Sequence, residues 1–164
     1  MRYIYLCTLA AALGGFLFGY DTAVVNGSIE YLVQDFDLSA GLEGWAASSA
    51  LIGCIFGAMF AGMIGDRFGR KRAMLLCAAL FTVSAVGSAI PQTLSFFVWA
   101  RFIGGLGVGG ASMLSPMYIA EISPEKIRGR LVSIYQLAIA AGILIAFLIN
   151  MLIQRMGDQA WNTD

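Results

Sequence analysis

Asp21 is the only charged residue in GGFLFGYDTAVVNG, residues 14–27. An ionised carboxylate in so apolar a run is costly in hydrocarbon, so it needs a partner or a task. A partner is available in a later apolar run: Arg101 opens RFIGGLGVGGASMLSPMYIA. Arginine does not give up its proton, so in such a pair the carboxylate is the member that can titrate. Two chemistries fit. One is a fixed ion pair that locks two helices together. The other is a proton switch, in which ionised Asp21 holds Arg101 and protonated Asp21 releases it. A further polar group stands in QLAIAAGILIAFLIN, where Gln136, Ile143 and Asn150 recur every seven residues and share one helix face. The Gln136 amide can donate and accept, which suits either a polyhydroxylated ligand or a hydrogen bond between helices.

A second group of charges lies between apolar runs. GMIGDRFGRKR, residues 62–72, combines Gly62, Asp66, Arg67, Gly69, Arg70 and Lys71. Its glycines permit a tight turn close to a neighbouring helix, and Asp66 with the arginines can form charge-assisted bonds. PMYIAEISPEKIRGRL, residues 116–131, places Glu121 and Arg128 seven apart across Pro124, where they could meet each other or the Arg67/Arg70 cluster. Such a network holds one conformation closed and breaks when the molecule switches.

The elements that position these residues follow from composition. Of the 164 residues, 59% are hydrophobic and only 12% charged, and mean hydropathy is +0.79. A soluble domain carries about 25% charged residues, so much of this surface must face lipid, and the chain reads as an all-α, multi-pass membrane protein. Five transmembrane helices are expected at about 4–26, 45–65, 73–91, 95–120 and 131–153, each near the ~20 residues that cross the hydrocarbon. Pro116 falls inside the fourth and is expected to kink it. Asp21 then lies about six residues inside the outer end of its span and Arg101 about six inside its own, so both sit roughly 9 Å deep. Gly53 and Gly57 are at GxxxG spacing, and GGLGVGG fills the fourth span; small residues let helices approach closely in lipid. Arg2, Arg67, Arg70, Lys71, Arg72, Lys126, Arg128 and Arg130 fall on one side of the membrane. Glu30, Asp35, Asp37, Glu43, Asp158 and Asp164 fall on the other, with Arg155 as its only base. The positive-inside rule makes the N-terminus cytoplasmic.

Several classes are disfavoured. Histidine is absent, and Cys7, Cys54 and Cys77 all lie in apolar runs as packing residues, with neither disulfide nor metal spacing. GGLGVGG lacks the Lys-Ser/Thr of a phosphate loop. No basic stripe marks a nucleic-acid partner. No activated nucleophile points to an enzyme, and no cofactor is implied. The apolar N-terminus runs on without a convincing cleavage site, unlike a secretory signal.

These motifs resemble the sugar porter family of the major facilitator superfamily. The superfamily pattern Gly-x-x-x-Asp-Arg-x-Gly-Arg-Arg reads GMIGDRFGRK, with Lys71 in place of the last Arg. The sugar porter marks are GGFLFGYDTAV, RFIGGLGVGGASMLSPMYIAEISPEKIRGRL and QLAIAAGILIAFLIN, and the chain is most like the bacterial D-xylose and hexose:proton symporters. The resemblance implies a twelve-helix transporter of two six-helix halves, of which this chain carries an incomplete N-terminal half, truncated before helix six. It implies proton-coupled monosaccharide symport by alternating access in a bacterial inner membrane. Asp21 would be the proton-linked carboxylate and Arg101 its partner. Gln136 would bond the sugar, with Phe18 packed near it. Asp66, Arg67, Arg70, Glu121 and Arg128 would form the cytoplasmic gate network. Ile143 stands where the xylose type has Gln, and facilitative relatives often carry Asn at the place of Asp21. A facilitative uniporter, a drug:proton antiporter and a non-transporting truncated module are the alternatives. The antiporter is disfavoured because the fifth span has no proline. The partners expected are a monosaccharide, the lipid bilayer and the missing C-terminal half, without which the chain is expected to transport nothing.

Overall fold

Inside a bilayer the backbone has no water to bond, so an apolar run must satisfy its own N–H and C=O groups, and a helix does this within one segment. In a computed structural model, which describes residues 2–36, 38–90 and 93–161, the chain forms five helices. They are α1 (Arg2–Phe36), α2 (Ala40–Phe68), α3 (Arg70–Ala89), α4 (Leu94–Ile122) and α5 (Glu125–Trp161). All five contain a stretch long and apolar enough to cross a membrane. Four of them run past both ends of the apolar spans read from sequence, because helical hydrogen bonding continues into the polar flanks that end a hydropathy run.

Local chemistry sets the breaks. Ser39 is extended (φ −70°, ψ 155°) before α2, and its carbonyl accepts from the Leu42 and Glu43 amides at 2.9 and 3.0 Å. Gly69 separates α2 from α3 at φ +84°, a conformation costly for any residue with a Cβ. Thr93 caps α4, its Oγ1 accepting from the Phe96 amide at 3.2 Å. Between α4 and α5, Ser123 is extended, and the Pro124 carbonyl accepts the first amide bonds of α5. Pro116 lies inside α4, which is helical on both sides of it.

The packing centres on α4, which touches each of the other four helices. Its glycines face several ways. Gly105 and Gly109 lie against the backbone of α2 at Ala50 and Cys54, and from the other side Gly53 and Gly57 lie against Phe102 and Leu106. A Cβ at any of these four positions would collide with a backbone carbonyl. Gly104 and Gly107 face α3 at Ser84 and Cys77. The α1–α5 contact has the same character, with Gly19 against Ile139 and Gly142 against Phe16. Small apolar clusters complete the interior. Ala11, Ile119, Leu131 and Tyr135 join α1, α4 and α5, while Ala61, Ala73, Cys77 and Leu114 join α2, α3 and α4. Large apolar side chains such as Leu13, Ile55, Val86, Leu137 and Phe147 point outward, as lipid solvent requires.

Candidate functional site

Asp21 on α1 and Arg101 on α4 meet. Arg101 Nη1 donates to Asp21 Oδ1 at 2.7 Å and Nη2 to Oδ2 at 3.1 Å, a two-pronged pairing of guanidinium and carboxylate. The Arg101 side chain is 10% exposed and that of Asp21 19%. The pair is therefore largely withdrawn from solvent. The depth match read from the spans thus corresponds to direct contact. Removing one member leaves the other as an uncompensated charge, which is costly in a medium that solvates it poorly.

The polar stripe of α5 divides. Asn150 Nδ2 donates to the Ala23 carbonyl of α1 at 3.3 Å and so ties the two helices together. Ile143 is half-buried, and Gln136 is exposed on the surface of α5. Phe18 is half-buried and lines an apolar cavity of about 230 Å³ with Leu13, Leu17, Met74, Phe81 and Ser115. Gln136 does not line this cavity. A larger apolar groove, about 380 Å³, runs between α2 and α4 beside Leu42, Trp45, Ile52, Val98, Trp99 and Phe102. Sequence reasoning did not anticipate it. Its lining offers no charged group.

At the other end of the bundle, Arg70 gathers two carboxylates. Its Nη2 is 2.8 Å from Asp66 Oδ1 and 3.1 Å from Glu121 Oε1, and its Nε donates to Glu121 Oε1 at 3.1 Å. The residue after the Gly69 turn therefore clasps the end of α2 to the end of α4. Two residues expected in this network stand apart. Arg67 lies over the Phe68 ring at 5.7 Å. Arg128 donates to the Ser123 carbonyl across a long 3.5 Å contact. Neither makes an ion pair among the described residues. Arg67 follows Asp66 directly on α2 and so leaves the helix on a different side, Arg128 lies beyond the Ser123–Pro124 break, and the Gly69 turn brings Arg70 back to Asp66. Of the two motif glycines at 62 and 69, only Gly69 makes the turn; Gly62 is inside α2 with open space where a Cβ would go.

Residues 7–163 match the family of the sugar (and other) transporters. The chain belongs to that family. It corresponds to the N-terminal part of a major facilitator sugar porter. It is 49% identical to the glucose transport protein of Synechocystis sp., over 99% of this chain and 35% of that protein. It is 47% identical to the D-xylose-proton symporter of Escherichia coli K12, over 99% of this chain and 38% of the relative. It is 45% identical to the arabinose-proton symporter of Bacillus subtilis, over 98% and 35%. The chain thus spans little more than a third of the length of these relatives. Among solved structures, a proton:xylose symporter bound to 6-bromo-6-deoxy-D-glucose superposes with a TM-score of 0.89 at 46% identity, over 98% of this chain and 39% of that one. An inward-open form of the xylose transporter from E. coli superposes at 0.85. The family is one of membrane transporters rather than enzymes.

Proposed function

We propose that these residues form the N-terminal part of a proton-coupled monosaccharide transporter in a bacterial inner membrane. The observation that carries this reading is the two-pronged Asp21–Arg101 pair in an otherwise apolar bundle. A carboxylate can take up a proton there and an arginine cannot release one, so protonation of Asp21 is the event that frees Arg101. The helices α1 and α4 are then held together in one state and loosened in the other. Relatives named as xylose-proton and arabinose-proton symporters support both the sugar and the ion. Gln136, exposed on α5, offers its amide to a sugar hydroxyl on this reading, with Phe18 of α1 as an apolar contact. Arg70, with Asp66 and Glu121, acts as a cytoplasmic clasp that opens and re-forms, with Arg67 and Arg128 joining it in another state. By the positive-inside rule, the basic residues of this end support a cytoplasmic N-terminus.

The test uses vesicles holding the complete transporter. Sugar addition should draw protons across the membrane, and Asp21→Asn should abolish accumulation against a gradient while leaving sugar exchange intact. Accumulation that survives Asp21→Asn sinks the coupling assignment. A facilitative transporter is the second reading, favoured by the relative named only as a glucose transport protein. On that reading the pair is a fixed structural lock, and sugar entry moves no protons.

A further inference from the structure

Arg70 has three nitrogens and uses two. Nε and Nη2 bind Glu121 and Asp66, while Nη1 is buried without a hydrogen-bond partner. That third nitrogen packs against Gly65 of α2. A Cβ built on Gly65 would stand 2.7 Å from Arg70 Nη1 and 2.8 Å from Leu114 Cδ2, and 3.4 Å from Arg70 Cδ. Gly65 is buried, and Leu114 opposite is 1% exposed and held in the α2–α3–α4 cluster. Neither backbone strain nor a tight turn explains a glycine here, since Gly65 has ordinary helical geometry in the interior of α2. The missing side chain leaves a notch between the α2 backbone and Leu114, and the guanidinium lies in it.

We propose that Gly65 is a positioning residue, which seats Arg70 so that its other two nitrogens reach Asp66 and Glu121 together. Any side chain at this position fills the notch. Leu114 is packed in the α2–α3–α4 cluster, although it borders an apolar cavity of about 250 Å³, whereas Arg70 is the far end of a longer and more flexible chain at the protein surface, so Arg70 is the first to move. It then loses the geometry that clasps α2 to α4. The consequence for gating rests on the function proposed above, but the seat does not, and the experiment reads the seat alone.

The 164-residue chain, purified in lipid nanodiscs, is treated with phenylglyoxal, which modifies accessible guanidiniums, and labelling is quantified by peptide mass spectrometry. Arg67, exposed at the end of α2 three residues before Arg70, is the internal reference. In the parent chain Arg70 should label several-fold more slowly than Arg67. In Gly65→Ala the Arg70 rate should rise several-fold towards that of Arg67, with the Arg67 rate unchanged. An unchanged ratio overturns the proposal, because a lesion of general packing would not act on Arg70 selectively. Should Gly65→Ala fail to fold, Gly65→Ala in the Arg70→Ala background decides. If that pair folds, the guanidinium was the group in conflict. If it also fails, the conflict is with Leu114 and the seat does not exist.

Discussion

Removing either partner of the Asp21–Arg101 pair leaves the other charge among apolar helices. Arg101→Ala should lower stability by on the order of 3 kcal/mol, the scale for breaking a buried pair, seen as a fall in melting temperature in detergent. Asp21→Asn keeps shape and one acceptor, so its loss should be smaller, and Asp21→Asn combined with Arg101→Gln should recover part of the Arg101 loss. Equal losses in all three variants would mean that the charges are not coupled. The Arg70 clasp is a different case. Asp66 is 69% exposed and Glu121 45%, so Glu121→Gln should change stability by no more than about 1 kcal/mol, the usual worth of a pair open to water. The two ion pairs look alike as residue types, and burial separates them. The Asp21–Arg101 pair was legible in the sequence because each charge stood alone in an apolar run with nothing else to bind. The choice of Arg70 over Arg67 and Arg128 was not legible, since eight bases and three acids share that end and spacing does not rank them. The exposure of Gln136 on α5 was also hidden, because the rotation of α5 relative to α1 depends on the Gly19–Ile139 and Gly142–Phe16 contacts.

At the scale of elements, glycines of one type have opposite roles. Gly57 lies against the Leu106 carbonyl, and backbone cannot step aside for a Cβ. Gly57→Ala should therefore destabilise the α2–α4 contact severely, giving little folded protein on size exclusion. Gly62, on the same helix, meets nothing within 4 Å, so Gly62→Ala should be neutral or stabilise the chain by up to ~1 kcal/mol through helix propensity. A thermal melt of both variants checks the contrast. Helix number and order could be read from hydropathy, since apolar runs of this length in lipid have few alternatives to a helix. The ends could not, because nothing apolar marks where α1 stops at Phe36 or where α5 starts at Glu125. The start of α5 is set by the Ser123–Pro124 break. Pairing between helices was only half visible: GxxxG at Gly53 and Gly57 announced a close neighbour but not that the neighbour is α4.

At the scale of the whole molecule, α4 occupies the centre and every other helix leans on it. Alternating access requires two such bundles rocking about a shared site, and this chain spans about a third of its relatives. Reconstituted alone in liposomes, it should show no sugar uptake above protein-free controls with labelled xylose, arabinose or glucose, with or without a proton gradient. Uptake above that background contradicts the division of labour proposed here.

The partners of the central ion pair are 80 residues apart in the chain. A ribosome adds about 5–20 residues per second, so roughly 4–16 s separate the synthesis of Asp21 from that of Arg101. During that interval α1 is threaded towards the bilayer with a carboxylate that has no counter-ion. The helix therefore relies on the machinery of insertion until α4 arrives. Quality control has a simple signal to read: a chain that never acquires Arg101 presents a charged, unmatched first segment, and that is the form a membrane protease should clear.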